Sequence, residues 1–382
     1  MGPSQYVVVG AGLAGAATAW SLTLRGYEVT IVERAQPAAN DGSSHGSARI
    51  FRYTYPDPLY TRLVLQSRKR WDGLERASGT NLIIQTGCLD FGLARDPQTL
   101  AAVLEAEAVE HELVGLEEAR SRWPQIAFNT EVLWQPKAGV IDSGTAVRTM
   151  VEQATRHGAQ LLTDWELTPI SRARNGFRLR AANGDVLDAE KIVVAAGGWL
   201  PHLLADLSLP DDFLAALPPF QVSQEQAYHF PYRDSTPRWP TFIHGSPAIY
   251  TYSLPGGRDA GFRGQKLAEF HGGLKIPSAV HQTGIVDPAN RAKLIDYVTQ
   301  FVPGLVPEPY AETTCLFTST PTEDFVVDGA DGIVLVSACS GHGAKFAPLI
   351  GDIAADVVTG SAAPPDRFRV GPGTRKSFTG RA

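Results

Sequence analysis

Gly10, Gly12 and Gly15, with Glu33 about twenty residues beyond them, have the types and spacing to hold a dinucleotide. Gly10 permits a tight turn, Gly12 lets backbone approach a pyrophosphate, and Gly15 lets a helix lie close to a strand. An acid at Glu33 accepts hydrogen bonds from ribose hydroxyls, and its presence in place of an arginine disfavours a 2′-phosphate. The motif leaves FAD and NAD both open. A second group follows in a polar loop, where His45, Arg49 and Arg52 lie close together. A third is the glycine segment Ser340 to Phe346, SGHGAKF, which carries Lys345.

These residues need elements to position them. Tyr6 to Val9 is an apolar strand and an alanine-rich helix follows the glycines. Unpaired N–H groups at that helix start favour phosphate. Glu28 to Val32 reads as a second strand. The loop after Glu33 is long, rich in Gly and Ser, and without periodicity, as functional loops often are. Pro58 to Ser78 reads as a helix with Leu59, Leu63, Leu65 and Trp71 on its apolar side. Strands follow in 81–92, helices in 96–109 and 115–123, a strand region in 131–141 and a helix in 146–157. A meander over 176–180 and 185–188 precedes the apolar strand KIVVAAGGWL, Lys191 to Leu200.

Composition changes at Pro210, Pro218 and Pro219. From there to Thr314 the chain is rich in Tyr, Phe, His and Pro. Strand-like runs at 221–230, 241–244 and 248–254 suggest a mostly antiparallel sheet with one ligand-facing side. Two lysine-bearing strands and a helix over 290–301 complete this region. Strands at 325–327 and 333–337 then lead through the last glycine segment into a helix over 347–358.

The nucleotide layer is therefore discontinuous, assembled from the start, middle and end of the chain, and this favours FAD over a nicotinamide. The fold class expected is an α/β FAD-binding domain of Rossmann-like, two-dinucleotide-fold type, with an α+β substrate domain built on a mainly antiparallel sheet. Residues 1–84, 142–210 and 318–382 are assigned to the first domain. Residues 85–141 and 211–317 are assigned to the second.

The chain has 382 residues, ample for two domains. Its net charge of −6 argues against a nucleic-acid or anionic-membrane partner. No apolar run reaches the roughly 18 residues of a membrane span. Cys88, Cys315 and Cys339 are too few and too scattered for a disulfide framework or zinc site, so no metal is expected and a reducing cytoplasm fits.

Five blocks in order carry a resemblance: VVVGAGLAG with Glu33, SSHGSARIFR from Ser43 to Arg52, VVAAGGWL from Val193, CLFTSTPTEDFVVD from Cys315, and SGHGAKF from Ser340. On these the chain resembles the flavin-dependent amine and amino-acid oxidases close to monomeric sarcosine oxidase and N-methyltryptophan oxidase. The resemblance implies FAD held covalently as an S-cysteinyl link through Cys315. It places Ser43, Ser44, His45 and Arg49, together with Gly341, Gly343 and Lys345, against the cofactor. His45 and Arg49 would supply positive charge beside the flavin ring. Arg52 and Lys345 would clamp a substrate carboxylate.

The family also holds a lysine over the flavin, on a strand after a Tyr-x-x-Pro turn that Tyr252 to Pro255 matches. Lys266 and Lys275 both remain candidates for that catalytic lysine, which would assist O2 reduction. His271 and His281 both remain candidates for an accompanying pocket histidine. Phe317 departs from the tyrosine of sarcosine oxidase and puts sarcosine itself in doubt as substrate.

The expected activity is oxidation of an α-amino acid, most simply an N-methyl or cyclic secondary amine, to an imine with hydrogen peroxide formed from O2. A dehydrogenase using another acceptor, and a flavin-binding subunit without turnover, are the competing readings. A monomer is expected.

Overall fold

The computed structural model describes residues 4–234 and 239–371. Its centre is an eight-stranded sheet among the described residues. Ser4–Val9 lies at the middle, parallel to Val29–Val32 on one side and to the end of Val186–Val194 on the other. Gln160–Leu162 extends one flank and Ile333–Ser337 the other, both in parallel. Parallel strands covered on both faces must be apolar on both, and these are. Val7, Val9, Ile192, Val194, Ile333 and Leu335 face one core, while Tyr6, Val8, Val193, Val334 and Val336 face the other.

The second core contains the helices. Leu13–Leu24 packs against Ala347–Thr359 and Ser143–Arg156. Gly15 is needed there because a Cβ would stand 1.9 Å from the Gly10 carbonyl oxygen. The helix Pro58–Ser78 begins as its sequence demands, with Pro58 in the first turn and the Asp57 carboxylate accepting from the Leu59 amide at 2.9 Å. It stops at Gly79 in a left-handed conformation (φ 68°).

The segments 176–180 and 185–188 pair antiparallel, as a meander should, but 185–188 and the apolar run from Lys191 are not separate strands. They share the single strand Val186–Val194. Its start pairs antiparallel with Gly176–Ala181, and its end turns parallel to Ser4–Val9 and Ile333–Ser337. Polar residues at the exposed start and apolar ones at the buried end make one strand look like two.

The second sheet has nine strands among the described residues. Its long member, Gln221–Pro231, pairs along most of its length with Ala311–Ser319. On its other edge it pairs with Gly264–Glu269 and Leu274–Ile276. Tyr250–Pro255, Thr241–Gly245, Cys88–Phe91, Val132–Gln135 and Glu112–Val114 complete the sheet. Every pairing is antiparallel except that of Thr241–Gly245 with Cys88–Phe91. The helix Pro288–Phe301 covers one face through Leu294, Tyr297 and Val298. A small sheet of Arg49–Phe51, Gly139–Ile141 and Ile83–Gln85 joins the two regions. No helix among the described residues is long and apolar enough to cross a membrane.

Candidate active site

A cavity of about 430 Å³ runs from the glycine turn to the inner face of the nine-stranded sheet. Gly10, Gly12, Glu33, Ser43 and Ser44 line one end. The first helix supplies no cap of its own; the Ser44 hydroxyl, from the polar loop, accepts from the Leu13 amide at 3.0 Å. The remaining amides of that turn are left to an anion. Glu33 accepts from the Ala11 amide at 2.6 Å and the Ala35 amide at 3.0 Å, so its carboxylate is fixed at the crest of the second strand. A phosphate-bearing dinucleotide fits this donor set: free amides at a helix start, a hydroxyl above them and an anchored acid beside them. The acids lining the cavity, Glu33, Asp41, Glu166 and Asp206, all lie on the side of the eight-stranded sheet.

The other end is cationic. Arg49, Arg52, Lys266 and Lys345 line it, with Tyr250, Tyr252, Phe270, Cys315, Phe317, Gly341 and Gly343. Arg49 donates to the Ser43 carbonyl at 3.1 Å and to the Ala48 carbonyl at 2.9 Å. Lys266 reaches the Ala48 carbonyl at 3.5 Å and is buried. Burial and then the neighbouring Arg49 pull its ammonium down to about 8. Cys315 is half-buried. Burial raises its thiol, while Arg49 and Lys266 act in the opposite sense.

The structure separates the two lysines. Lys266 belongs to Gly264–Glu269, opposite Leu254, and faces the cavity. Lys275 is exposed on the edge strand Leu274–Ile276 and does not line it, so its catalytic assignment is withdrawn. The segment Tyr252 to Pro255 is not a turn. It lies within the strand Tyr250–Pro255, and the chain turns only after it.

Both histidine candidates fail as interior groups. His281 is exposed, and His271 is exposed and paired with Glu323 at 2.7 Å. His45 is buried but does not line the cavity; its Nε2 meets the Thr314 carbonyl at 3.1 Å. Burial, followed by Arg49 and Lys266, lowers its pKa to about 4. It is neutral at pH 7 and supplies no positive charge, contrary to expectation.

A buried histidine does belong to the site, and sequence reasoning passed over it. Lys345 Nζ donates to the Tyr55 hydroxyl at 2.9 Å and to the His342 carbonyl at 2.8 Å. Tyr55 Oη lies 3.0 Å from His342 Nδ1, and His342 Nε2 lies 3.0 Å from the Glu323 carbonyl. A carbonyl only accepts, so Nε2 carries the proton and Nδ1 accepts from Tyr55. Burial, then Lys345, holds His342 well below its ordinary pKa, consistent with this neutral tautomer. Gly343 lets the segment double back, since a Cβ there would stand 1.6 Å from the Ala338 oxygen. The helix Pro58–Ser78 secures the segment: Ser67 Oγ and Trp71 Nε1 donate to the Lys345 carbonyl at 2.6 and 2.9 Å. The sequence signal available for Tyr55 was its spacing of three from Arg52.

Arg52 is buried, stacks on the Tyr55 ring at 4.8 Å and donates to the carbonyl and hydroxyl of Thr54. Lys345 is equally buried, and burial followed by Arg52 pulls its ammonium well below the ordinary lysine value. Neither cation meets a carboxylate among the described residues. Arg95 nearby has one in Asp90, at 2.5 Å.

Comparison with known proteins gives a consistent picture. Residues 5–357 match the family described as FAD dependent oxidoreductase. The chain is 31% identical over 381 residues to the monomeric sarcosine oxidase of Streptomyces avermitilis, covering 94% of this chain and 95% of that protein. It is 28% identical to the N-methyl-L-tryptophan oxidase of Yersinia pestis (strain Pestoides F), covering 92% and 94%. Its fold is similar to the open form of NikD, an unusual amino acid oxidase essential for nikkomycin biosynthesis. There the TM-score is 0.85 at 22% identity, with 99% of each chain covered.

Proposed function

The chain belongs to the FAD-dependent oxidoreductase family, and from that premise we propose that it oxidises a carboxylate-bearing α-amino acid, most simply an N-methyl or cyclic secondary amine. The observation that carries this reading is the pair of buried cations, Arg52 and Lys345, without an acidic partner at one end of the cavity. Two buried cations side by side are costly, and a substrate carboxylate relieves that cost. Arg52 offers a fork that fits a carboxylate, and Lys345 adds a point charge.

Gly10, Gly12, Glu33, Ser43 and Ser44 would hold the nucleotide part of FAD, with Arg49, Gly341 and Gly343 against its ring. When bound, the flavin supplies the two-electron redox chemistry. The protein's share is binding and electrostatics. No acid lines the substrate end, so the amine is favoured as its free base. Tyr252, Phe270 and Phe317 line the same cavity as the cations and would offer the substrate aromatic surface. The substrate leaves as an imine, which water hydrolyses. Lys266, protonated below about pH 8, places positive charge where O2 would be reduced to hydrogen peroxide. Cys315 is the residue proposed to anchor the cofactor covalently.

The reading is tested by anaerobic bleaching of the flavin absorbance across N-methyl, cyclic and primary amino acids. Bleaching by a carboxylate-bearing secondary amine, with peroxide on admission of air, supports it. Bleaching by none of the panel overturns it. Bleaching without peroxide identifies a dehydrogenase in place of an oxidase.

A further inference from the structure

Behind the cationic end lies a buried polar cluster that the proposed reaction does not use: Thr54, Asp90, Arg95 and Gln135. Asp90 sits on Cys88–Phe91, Gln135 ends the adjacent strand Val132–Gln135, and Arg95 follows the turn after Phe91. Arg95 Nε reaches Asp90 Oδ1 at 2.5 Å. Gln135 Nε2 and Thr54 Oγ1 both reach Asp90 Oδ2, at 2.6 and 3.0 Å.

The direction of every hydrogen bond follows from the donor inventory. Gln135 Oε1 accepts from the Tyr53 amide at 2.9 Å, which orients its amide so that Nε2 faces Asp90. Around the Thr54 hydroxyl stand Arg52 Nη1 at 3.1 Å, Arg95 Nη2 at 3.2 Å and Gln135 Nε2 at 3.3 Å. All three can only donate. Asp90 is the acceptor in reach, so the hydroxyl proton points to Asp90 and the lone pairs are turned toward the guanidinium groups. Arg52 Nη1 also donates to the Thr54 carbonyl. Thr54 thus grips one arm of Arg52 with two acceptors. Among the described residues, Nε and Nη2 of Arg52 have no hydrogen-bond partner.

We infer that Thr54, Asp90, Arg95 and Gln135 are positioning residues that fix the polarity of one hydroxyl and so aim the free edge of Arg52 at the substrate carboxylate. The inference rests on the carboxylate-clamp reading above. Asp90 also gives Arg95 a counter-charge, so that Arg95 does not compete for the substrate anion. A merely structural cluster would affect stability without discriminating between ligands.

The test uses the FAD-containing full chain with benzoate and benzamide, an isosteric pair differing in charge, titrated by calorimetry. Thr54→Val removes the hydroxyl and keeps the shape. It is expected to weaken benzoate about tenfold, the worth of one hydrogen bond to a charged group, to raise the KM of the amino-acid substrate comparably, and to leave benzamide unchanged. Thr54→Ser retains the hydroxyl and restores benzoate affinity. Asp90→Asn puts an N–H donor or a neutral acceptor beside Thr54 and is expected to weaken benzoate as well. If it fails to fold, Thr54→Val carries the test by itself. Equal weakening of benzoate and benzamide by Thr54→Val, or no change in either benzoate affinity or KM, overturns the inference. Arg52→Ala tells the two failures apart. If it discriminates benzoate from benzamide while Thr54→Val does not, the positioning role alone falls. If Arg52→Ala does not discriminate, the clamp falls and the positioning role with it.

Discussion

Arg52 and Lys345 share one aromatic ring: the guanidinium carbon stands 4.8 Å and the ammonium nitrogen 5.4 Å from the centroid of Tyr55. The two residues are far apart in sequence, and the ring brings them to one end of the cavity. The π face favours both cations. It does not replace an anion, and each also finds only neutral hydrogen-bond acceptors.

Removing the fork therefore removes the main source of carboxylate affinity. Arg52→Ala is expected to raise KM for the amino-acid substrate roughly 10- to 100-fold, the range for hydrogen bonds to charged groups. Steady-state kinetics check it, and an unchanged KM removes the clamp.

Anion binding is expected to take up protons. Lys345 lies well below the ordinary lysine value because of burial and Arg52. A carboxylate beside it favours the ammonium and raises its pKa, so benzoate, which brings no titrating amine, draws a proton from solution wherever Lys345 is not already fully charged. The uptake fades as pH falls and the lysine is already charged. Calorimetry in buffers of different ionisation heat measures it, and Lys345→Met should abolish it.

Lys266 sets a pH limit on the reaction with O2. Its pKa of about 8 means that the charge is present below that pH and is lost above it. Reoxidation of the reduced protein by O2 should slow as pH rises through about 8. Lys266→Met should be slow and insensitive to pH in this range, while Lys275→Met should match the parent. Stopped-flow mixing with oxygenated buffer decides; identical profiles for Lys266→Met and the parent would remove Lys266 from this role.

The covalent anchor has a direct readout. In acid-precipitated protein the yellow chromophore should remain with the pellet, and Cys315→Ser should release it to the supernatant. Cys339→Ser should not, although Cys339 also lines the cavity. Release from the parent protein would exclude Cys315 as the anchor.

Much of this was legible in the chain. The glycine turn, the acid at Glu33, the helix over 58–78 and the strands of the nucleotide layer follow from local rules: apolar periodicity, proline and aspartate at a helix start, glycine where a side chain would collide. Even the discontinuity of that layer could be read, because each piece carries its own pattern. Two local readings erred for local reasons. The strand Val186–Val194 passes from a half-exposed edge to a buried centre and changes its pattern midway. The Tyr252 to Pro255 match to a turn sits inside a strand, with the glycines after it making the turn.

What the sequence determined by itself is the kinds of group available: a glycine turn followed by an acid, a set of cations and a cysteine heading the block CLFTSTPTEDFVVD. Tertiary structure alone decided which groups face the cavity and which proton each one carries. Lys266 and Lys275 are nine residues apart on two strands that both pair with Gln221–Pro231, opposite His229 and Ser223, and only the burial of the first and the exposure of the second tell them apart. His342 joins Tyr55, and Asp90 joins Thr54, across long stretches of chain. Hydrogen-bond direction and burial are properties of such non-local contacts. They fix the neutral state of His45, the tautomer of His342 and the aim of Arg52, and no spacing along the chain encodes them.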